Sequence, residues 1–263
     1  MTKKERGYLT ELYYFALSFF VYGFLGWCTE VAYAAAKQGK FVNRGFLNGP
    51  ICPVYGIGVG VVVQFLTPVE NNLVLLYISS TILVTVIEGI TGFLLEKIFH
   101  NKWWDYSEQP LNIGGYVCVL FSLIWGVFCV LIVKIIHPLI YKVLTMIPLV
   151  LGIVVMACLA VGLLADLYVT ASGILKMNRR LEAMEKIAAE LKELSDKVGE
   201  NIYENVMEGM EFREEKKARI EELKAKYEEM AENRTKVGER LVKAFPKMQV
   251  GQHKDCLLYT SDA

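Results

Sequence analysis

The sequence lacks an excess of charge of either sign, because 28 lysine and arginine residues balance 28 aspartate and glutamate residues. A nucleic-acid-binding domain usually carries a basic excess on one surface, so no nucleic-acid partner is expected. The sequence also lacks a Gly-x-x-x-x-Gly-Lys-[Ser/Thr] phosphate loop and a Ser, His and acid triad. We therefore expect no enzymatic activity in this chain, and any ATPase must be a separate subunit.

Metal-ligating residues are few and dispersed. There are three histidines and six cysteines, without Cys-x-x-Cys spacing. Five of the cysteines stand singly in apolar segments, and we expect them to be free, buried thiols: Cys28, Cys52, Cys118, Cys129 and Cys158. This pattern predicts neither a metal site nor a cofactor.

Charged residues are also scarce between residues 8 and 175, although they make up 21% of the whole chain. The apolar stretches left between them are about twenty residues or longer, the length that spans a bilayer. The sequence therefore predicts an all-α, polytopic membrane helix bundle over residues 8–175, in contact with the lipid bilayer. About five transmembrane helices are expected, over residues 9–36, 51–66, 73–99, 113–136 and 147–175.

Two parts of this bundle are less regular. The second segment is short and is preceded by Gly49-Pro50 and Cys52-Pro53, so it could be partly re-entrant. The connection around His137, Pro138 and Lys142 is apolar, and we expect it to lie along the membrane interface.

After the bundle, residues 176–246 form a charged segment that repeats apolar residues at heptad spacing. We predict a cytosolic, coiled-coil-like helical tail, either a hairpin of two helices or one interrupted helix that dimerises. The tail would then pair with a helical partner or with a second copy of the chain. Its two stripes are Ile174, Met177, Leu181, Met184, Ala188, Leu191 and Val198, then Ile220, Leu223, Tyr227, Met230, Val237 and Leu241.

Residues 247–263 are expected to be disordered. The last eight, 256–263, back-translate into codons that resemble read-through of a transposon sequencing adapter. We expect these eight residues to be an artefact, with native sequence continuing beyond Asp255.

The basic residues predict the orientation in the membrane. In a five-span protein the first loop and the third loop share the side of the tail. The positive-inside rule then makes the tail cytoplasmic, although Lys3, Lys4 and Arg6 argue for the opposite. A re-entrant second segment would move the N-terminus to the other side. The basic residues on the tail side are Lys37, Lys40, Arg44, Lys97, Lys102, Lys176, Arg179 and Arg180.

Two carboxylates lie inside predicted spans, Glu88 in the third and Asp166 in the fifth. An ionised carboxylate in hydrocarbon costs about 2.5–3.5 kcal/mol on insertion scales, so both should face a shared interior. Together with five polar residues at the same end they predict a cytoplasm-facing substrate or ion pathway; structural pairing or snorkelling is the alternative. The candidate site residues are Glu30, Arg44, Glu88, Glu96, Asp105, Asn112 and Asp166.

Three stretches carry a resemblance to a known family: residues 23–30 (GFLGWCTE), residues 43–56 (NRGFLNGPICPVYG), and residues 88–112, from Glu-Gly-Ile-Thr-Gly through Trp-Trp-Asp-Tyr-Ser. They resemble the bacterial putative ABC-transporter type IV (CmpB-like) permease family, over approximately Tyr14 to Trp125. The resemblance implies a permease in a bacterial cytoplasmic membrane.

Two functions fit these features. The first is a transport-related membrane subunit whose polar interior handles a small solute or ion. The second is a membrane-anchored interaction or scaffold protein that acts through its helical tail.

Overall fold

The computed structural model describes residues 3–204, 209–246 and 248–250. These residues are mostly helical, so the predicted all-α class is confirmed. The helices are α1 (Lys3–Gln38), α2 (Pro53–Leu66), α3 (Leu73–Phe99), α4 (Val119–Leu131), α5 (His137–Thr145), α6 (Leu149–Glu204), α7 (Gly209–Glu232) and α8 (Lys236–Ala244). A 3-10 turn, Thr67–Val69, follows α2, and a π-helical turn, Ile132–Ile136, joins α4 to α5. The strands are β1 (Asn101–Lys102), β2 (Asn112–Ile113), β3 (Val117–Cys118) and β4 (Gln249–Val250).

Four helical segments of the described residues are long and apolar enough to cross a membrane: Leu9–Gln38, Leu73–Phe99, Val119–Thr145 and Leu149–Lys197. A fifth apolar helical segment, Pro53–Val69, is shorter. The described residues therefore contain four candidate membrane spans, as expected of a membrane protein. The second of the five predicted spans corresponds to the short segment, which at 1.5 Å per residue measures roughly 25 Å against a hydrocarbon core of about 30 Å.

The described residues divide into two compact units. The first contains the chain up to Ala171 together with Lys243–Met248, and the second contains Ser172–Val242 and the chain from Gln249, of which residues 249 and 250 are described. The division falls within α6, close to the place where the sequence changes from apolar to charged.

Glycines bring α1 and α2 together in an antiparallel pair. Gly26 faces Tyr55 and Gly56 faces the backbone of Phe19, at distances that leave no room for a Cβ atom. Since the contacts run in opposite directions along the two helices, α2 returns alongside the first half of α1. Small residues at such positions allow helix backbones to approach closely in a membrane.

The α3 and α4 helices are also antiparallel. A Cβ atom at Gly89 would lie 3.2 Å from Val117, whereas Leu76, nearer the start of α3, packs with Cys129 and Val133. Asn72 caps α3 by accepting a hydrogen bond from the Leu75 N–H at 3.1 Å. These contacts place the second half of α3, which carries Glu88 and Glu96, beside the loop that precedes α4.

The connection around Pro138, predicted to lie along the membrane interface, is helical. The π-helical turn and α5 extend α4 as far as Thr145, and Pro138 lies in the first turn of α5. Proline is tolerated there because the first N–H groups of a helix have no intrahelical acceptor. His137 faces α1, where its Nδ1 lies 3.0 Å from the Tyr22 hydroxyl oxygen.

The α6 segment of the first unit runs in the same direction as α1. Gly152 contacts the Tyr13 hydroxyl near its start, and Asp166 contacts Gly49 near its end. Most of its apolar side chains are exposed, for example Val150 at 76% and Val161 at 69%, as suits contact with lipid. Cys158 is exposed on this surface and Cys28 is only half-buried, so the prediction of buried thiols is wrong for Cys158 and holds in full only for Cys52, Cys118 and Cys129.

These contacts define two ends of the bundle. The loop end carries residues 39–52, between α1 and α2, and residues 100–118, between α3 and α4. The opposite end, here called the N-terminal end, carries the start of α1 and the turn between α5 and α6. The two strands β2 and β3 pair antiparallel within the second loop, with Asn112 opposite Cys118.

The second unit contains a helical hairpin. Arg219 on α7 forms an ion pair of 3.0 Å with Glu190 on α6, and Arg180 donates to the Asn233 carbonyl at 2.9 Å. Since Glu190 follows Arg180 and Arg219 precedes Asn233, the two helices are antiparallel. Of the two arrangements that the apolar stripes allowed, the described tail thus adopts the hairpin.

The predicted stripes are largely buried in this hairpin. Ile174, Leu181 and Met184 are at most 1% exposed, whereas Ile187 is buried in place of the predicted Ala188. The Val198 side chain lies outside the described residues. Of the segment predicted to be disordered, the structure describes residues 248–250, and the adapter-like residues 256–263 also lie outside the described part.

Candidate functional site: a carboxylate cluster at the loop end

The first loop is held in shape by one amide side chain. Asn43 Oδ1 accepts hydrogen bonds from Trp27 Nε1 at 2.8 Å and from the Gly45 N–H at 3.1 Å, and its Nδ2 donates to the Asn48 carbonyl at 2.7 Å. Leu47 is 1% exposed beneath this turn. Non-helical backbone at membrane depth requires such internal partners, since lipid offers none.

Asp166 binds the same loop from α6. Its Oδ2 accepts the Gly49 N–H at 2.6 Å, and its Oδ1 accepts Asn48 Nδ2 at 2.8 Å, the Asn48 N–H at 3.2 Å and the Thr170 hydroxyl at 3.2 Å. Hydrogen bonds to an ionised carboxylate offset much of its desolvation cost. The carboxylate predicted to line a pathway therefore holds the first loop against the last span.

Glu30 pairs with Arg44 within the same end of the bundle. Arg44 Nη1 lies 3.3 Å from Glu30 Oε2, and the Tyr55 hydroxyl donates to Glu30 Oε1 at 2.6 Å. The guanidinium of Arg44 also lies 4.7 Å from the centre of the Tyr33 ring, within cation–π range. Both oxygens of Glu30 consequently have a partner.

Only one of the two carboxylate oxygens of Glu88 has a hydrogen-bond partner among the described atoms. Its Oε1 accepts a hydrogen bond from the Tyr106 hydroxyl at 3.3 Å, whereas Oε2 is buried and has no hydrogen-bond partner among the described atoms. Tyr106 packs in turn on Phe121, with 5.3 Å between ring centres. A carboxylate oxygen that is buried and unpartnered is rare in folded proteins and calls for a ligand, a proton or water.

Tyr106 is bonded to Glu88 and lies within electrostatic range of Glu30. Burial raises the pKa of its hydroxyl above the ordinary value, and the negative charges of Glu88 and, more weakly, Glu30 raise it further. Both glutamates therefore lie close enough to act electrostatically on one phenol. We call Glu30, Arg44, Tyr55, Glu88 and Tyr106 the carboxylate cluster.

Asp105 and Asn112 shape the second loop. Asp105 Oδ1 accepts from the Ser107 hydroxyl at 2.5 Å and lies 3.0 Å from Lys102 Nζ. The Ser107 hydrogen bond, with Lys102 beside it, lowers the pKa of Asp105 to about 2. Asn112 Nδ2 donates to the Gln109 carbonyl at 2.8 Å. Both side chains thus bind their own loop.

Glu96 lies one helical turn beyond Gly92, which itself packs closely on Trp104 and Tyr116. A hydrogen bond to the Glu96 carboxylate raises the pKa of Tyr116 above its ordinary value. The Trp104 indole donates to the Tyr116 carbonyl at 2.9 Å, a hydrogen bond within the second loop.

The seven predicted site residues thus fall into separate groups. Glu30, Arg44 and Glu88 belong to the carboxylate cluster, Asp166 binds the first loop, and the other three shape or contact the second loop. Among the described residues, no hydrogen bond or ion pair joins Glu88 to Asp166. Glu88 is bound by Tyr106, and Asp166 is bound by the first loop.

Sequence reasoning missed the two tyrosines of the cluster and the loop residues Asn43 and Asn48. All four stand within or beside the stretches that carried the family resemblance, but no charge or periodicity marks them. The described residues contain no group of three His, Cys, Asp or Glu side chains that could hold a metal ion.

Comparison with known proteins gives one match. A family model described as "Putative ABC-transporter type IV" matches residues 17–171. No curated protein matches the chain, and no solved structure matches it. The matched range contains both loops and the carboxylate cluster and ends at the residue where the first unit passes into the second.

Proposed function

The chain belongs to the family described as putative ABC-transporter type IV, and we propose that it is the membrane subunit of a transport system whose carboxylate cluster handles a small solute or ion. The match confirms the family resemblance found in the sequence and extends it to Ala171. We assign no catalytic activity to this chain. ATP hydrolysis would come from a separate subunit, since the sequence has no phosphate-binding loop.

One observation carries the proposal: the buried Oε2 of Glu88, which has no partner among the described atoms. Ionisable groups within membrane spans are costly and most often mark substrate, ion or proton pathways. Glu88 can bind an ion or a proton because Tyr106 holds one carboxylate oxygen and leaves the other available. A cation or a proton at Oε2 would supply the missing partner.

The neighbouring residues have supporting roles in this proposal. Arg44 neutralises Glu30, so the cluster carries one carboxylate whose charge is not paired. Tyr55 and Tyr106 position the two carboxylates through their hydroxyl groups. Asp166 is a positioning residue because its hydrogen bonds hold the loop that carries Arg44.

We further propose a five-pass topology in a bacterial cytoplasmic membrane, with the loop end and the tail on the cytoplasmic side. The antiparallel course of α2 along α1 supports a second pass, and the extended residues before Pro53 would complete its length. The Cys52 N–H donates to the Gly23 carbonyl at 2.9 Å, so this extended chain has a backbone partner.

The test is purification of the full chain with its partners from the native membrane. We expect an ATPase subunit to co-purify, and ATP-driven uptake by the reconstituted complex to fall at least tenfold in Glu88→Gln. Glutamine keeps the size of the side chain and removes its charge. Glu108→Gln, on the exposed surface of the second loop, is the matched control and should retain uptake.

Two results would contradict the proposal. One is a complex that contains no ATPase subunit and moves no solute. The other is a Glu88→Gln complex that is as active as the wild type at equal ATPase content.

The second candidate function is a membrane-anchored scaffold that recruits another protein through the tail. It is favoured by the position of the tail, which lies outside the family match and is compact in its own right. A homo-oligomer or a helical partner would then bind the hairpin's exposed surface. Capture of one defined partner by the wild-type chain, lost when residues 172–242 are replaced by an unrelated helical hairpin, would support it.

A further inference from the structure

A second polar site lies at the N-terminal end of the bundle. A cavity of about 140 Å³ is lined by residues of α1, α2 and α5. Its polar lining residues include Glu11, Ser18, Tyr22, Gln64 and His137. Glu11 and the Glu30 of the carboxylate cluster are separated by about 28 Å along α1, so the two sites are distinct.

The polar residues from α1 share one face of the helix. Glu11, Ser18 and Tyr22 are spaced by seven and four residues, which places them above one another. Ser18 is 5% exposed and Tyr22 is 4% exposed. Ser18 and Tyr22 are therefore directed into the bundle, whereas Glu11 is exposed.

Aromatic and hydrogen-bonded side chains line part of the cavity. The Tyr22 hydroxyl and His137 Nδ1 lie 3.0 Å apart, which holds both rings in place. The Tyr141 ring lies 5.9 Å from His137 and 5.1 Å from Tyr14, measured between ring centres. Tyr14 lies one helical turn from Glu11 and its ring packs on Tyr141, whereas Tyr22 lies about 16 Å from Glu11 along α1.

The charge of the lining is negative. Glu11 supplies a carboxylate, and the lining residues that the structure describes include no lysine or arginine. A carboxylate combined with tyrosine rings favours a cation, which both the charge and the ring quadrupoles attract.

The volume limits the ligand to a small molecule. A cavity of about 150 Å³ in another protein holds one benzene molecule, which has six non-hydrogen atoms. We propose that this cavity is a binding site for a small protonated amine of about this size, held by the Glu11 carboxylate and the rings of Tyr14 and Tyr141. The site is independent of the transport role proposed above.

The test uses the full chain in lipid nanodiscs and isothermal titration with tert-butylammonium. Its neutral analogue of similar shape, tert-butanol, should bind at least tenfold more weakly. Glu11→Gln should weaken amine binding by about tenfold or more, because a charge-assisted hydrogen bond is lost. Glu70→Gln changes another glutamate that does not line the cavity, and should bind like the wild type.

Glu11 is exposed, so Glu11→Gln should unfold at the same temperature as the wild type. Tyr14→Leu is the second variant, since it removes an aromatic ring one helical turn from Glu11 that packs on Tyr141; it should weaken amine binding severalfold. Equal affinity for the amine and the alcohol would overturn the proposal, as would binding unchanged in both variants or lost equally in Glu70→Gln. The measurement needs neither ATP nor a second subunit, so its failure would leave the transport proposal standing.

Discussion

Gly49 donates its backbone N–H to Oδ2 of Asp166 over 2.6 Å, across 117 positions of the chain. This bond joins the first loop to the last span, with the Asn48 side chain bound to the other oxygen of the same carboxylate. The last span is otherwise mostly exposed on the bundle surface, so this contact is one of the few polar attachments that fix it.

We expect Asp166→Asn to loosen the first loop. The charge-assisted hydrogen bonds from Asn48 and Gly49 would be weakened, at a cost of about 1–3 kcal/mol. The unfolding temperature should fall, and hydrogen exchange at the Asn48 and Gly49 amides should accelerate. Glu108→Gln, which removes an exposed charge from the other loop, should change neither. Unaltered exchange in Asp166→Asn would show that the carboxylate does not hold the loop.

The Glu30 and Arg44 pair should show energetic coupling. Glu30→Gln and Arg44→Gln each leave the partner charge without its counterion, so the double variant should be less destabilised than the sum of the single variants. For residues in direct contact the coupling is about 0.5–3 kcal/mol. Reversible unfolding of the four proteins in detergent measures it. Strict additivity would mean that the 3.3 Å ion pair contributes nothing.

Acid should destabilise the second loop through Asp105. Its pKa is lowered from 3.8 to about 2 in the folded chain, chiefly by the Ser107 hydrogen bond and also by Lys102. A lowered pKa contributes stability that is fully present above the unfolded value and is lost as pH falls through the folded value. The loss should therefore occur between about pH 4 and pH 2. The Ser107 amide resonance reports this loss as a function of pH, and Asp105→Asn should abolish its pH dependence in this range. If the pH dependence persists in the variant, a group other than Asp105 causes it.

Two glycine substitutions should have opposite outcomes. A Cβ atom at Gly26 would overlap the Tyr55 side chain, whereas one at Gly162 would meet no atom within 4 Å. Gly26→Ala should destabilise the bundle by about 1–3 kcal/mol through overpacking. Gly162→Ala should be neutral or stabilise α6 by up to about 1 kcal/mol, since alanine favours helix. Thermal unfolding in one detergent compares them, and equal effects would refute the close α1–α2 contact.

Cysteine labelling can test the proposed orientation. In a cysteine-free background, Ser195→Cys on the exposed surface of the tail should resist a membrane-impermeant maleimide applied to intact cells. Asn71→Cys, in the exposed turn between α2 and α3, should react because the five-pass topology puts that turn outside. Labelling of Ser195→Cys in intact cells would show that the tail is outside. If Asn71→Cys is labelled in opened membranes but not in intact cells, the turn is not outside and the second pass is contradicted.

The long spans were predictable because an apolar run of about twenty residues or more has few stable conformations other than a membrane-spanning helix. The predicted third span, residues 73–99, matches α3 residue for residue. The extension of α4 into α5 was not, since an apolar stretch with one proline fits a helix or an interfacial loop. In the tail, the hairpin was one of two predicted arrangements, and the burial of Ile187 instead of Ala188 depends on the rotation of α6 against α7.

The site was less predictable than the spans. Intramembrane carboxylates could be recognised from the cost of their charge, so Glu88 and Asp166 were identified. Their partners could not, because Asp166 is bound by backbone N–H groups, which every residue except proline has. Tyr106 likewise depends on how the second loop folds against α3, a relation that local sequence does not encode.

The hairpin, Ser172–Val242, lies in the sequence between two segments of the first unit, and the chain from Gln249 belongs to the second unit again. Phe245 packs on Trp103 with 5.2 Å between ring centres, and Trp103 packs on Phe46 of the first loop at the same distance. The hairpin is thus bounded on both sides by residues that belong to the membrane bundle. In evolution such a module can be exchanged for another, provided that its two junctions keep their spacing, while the family core retains its own packing.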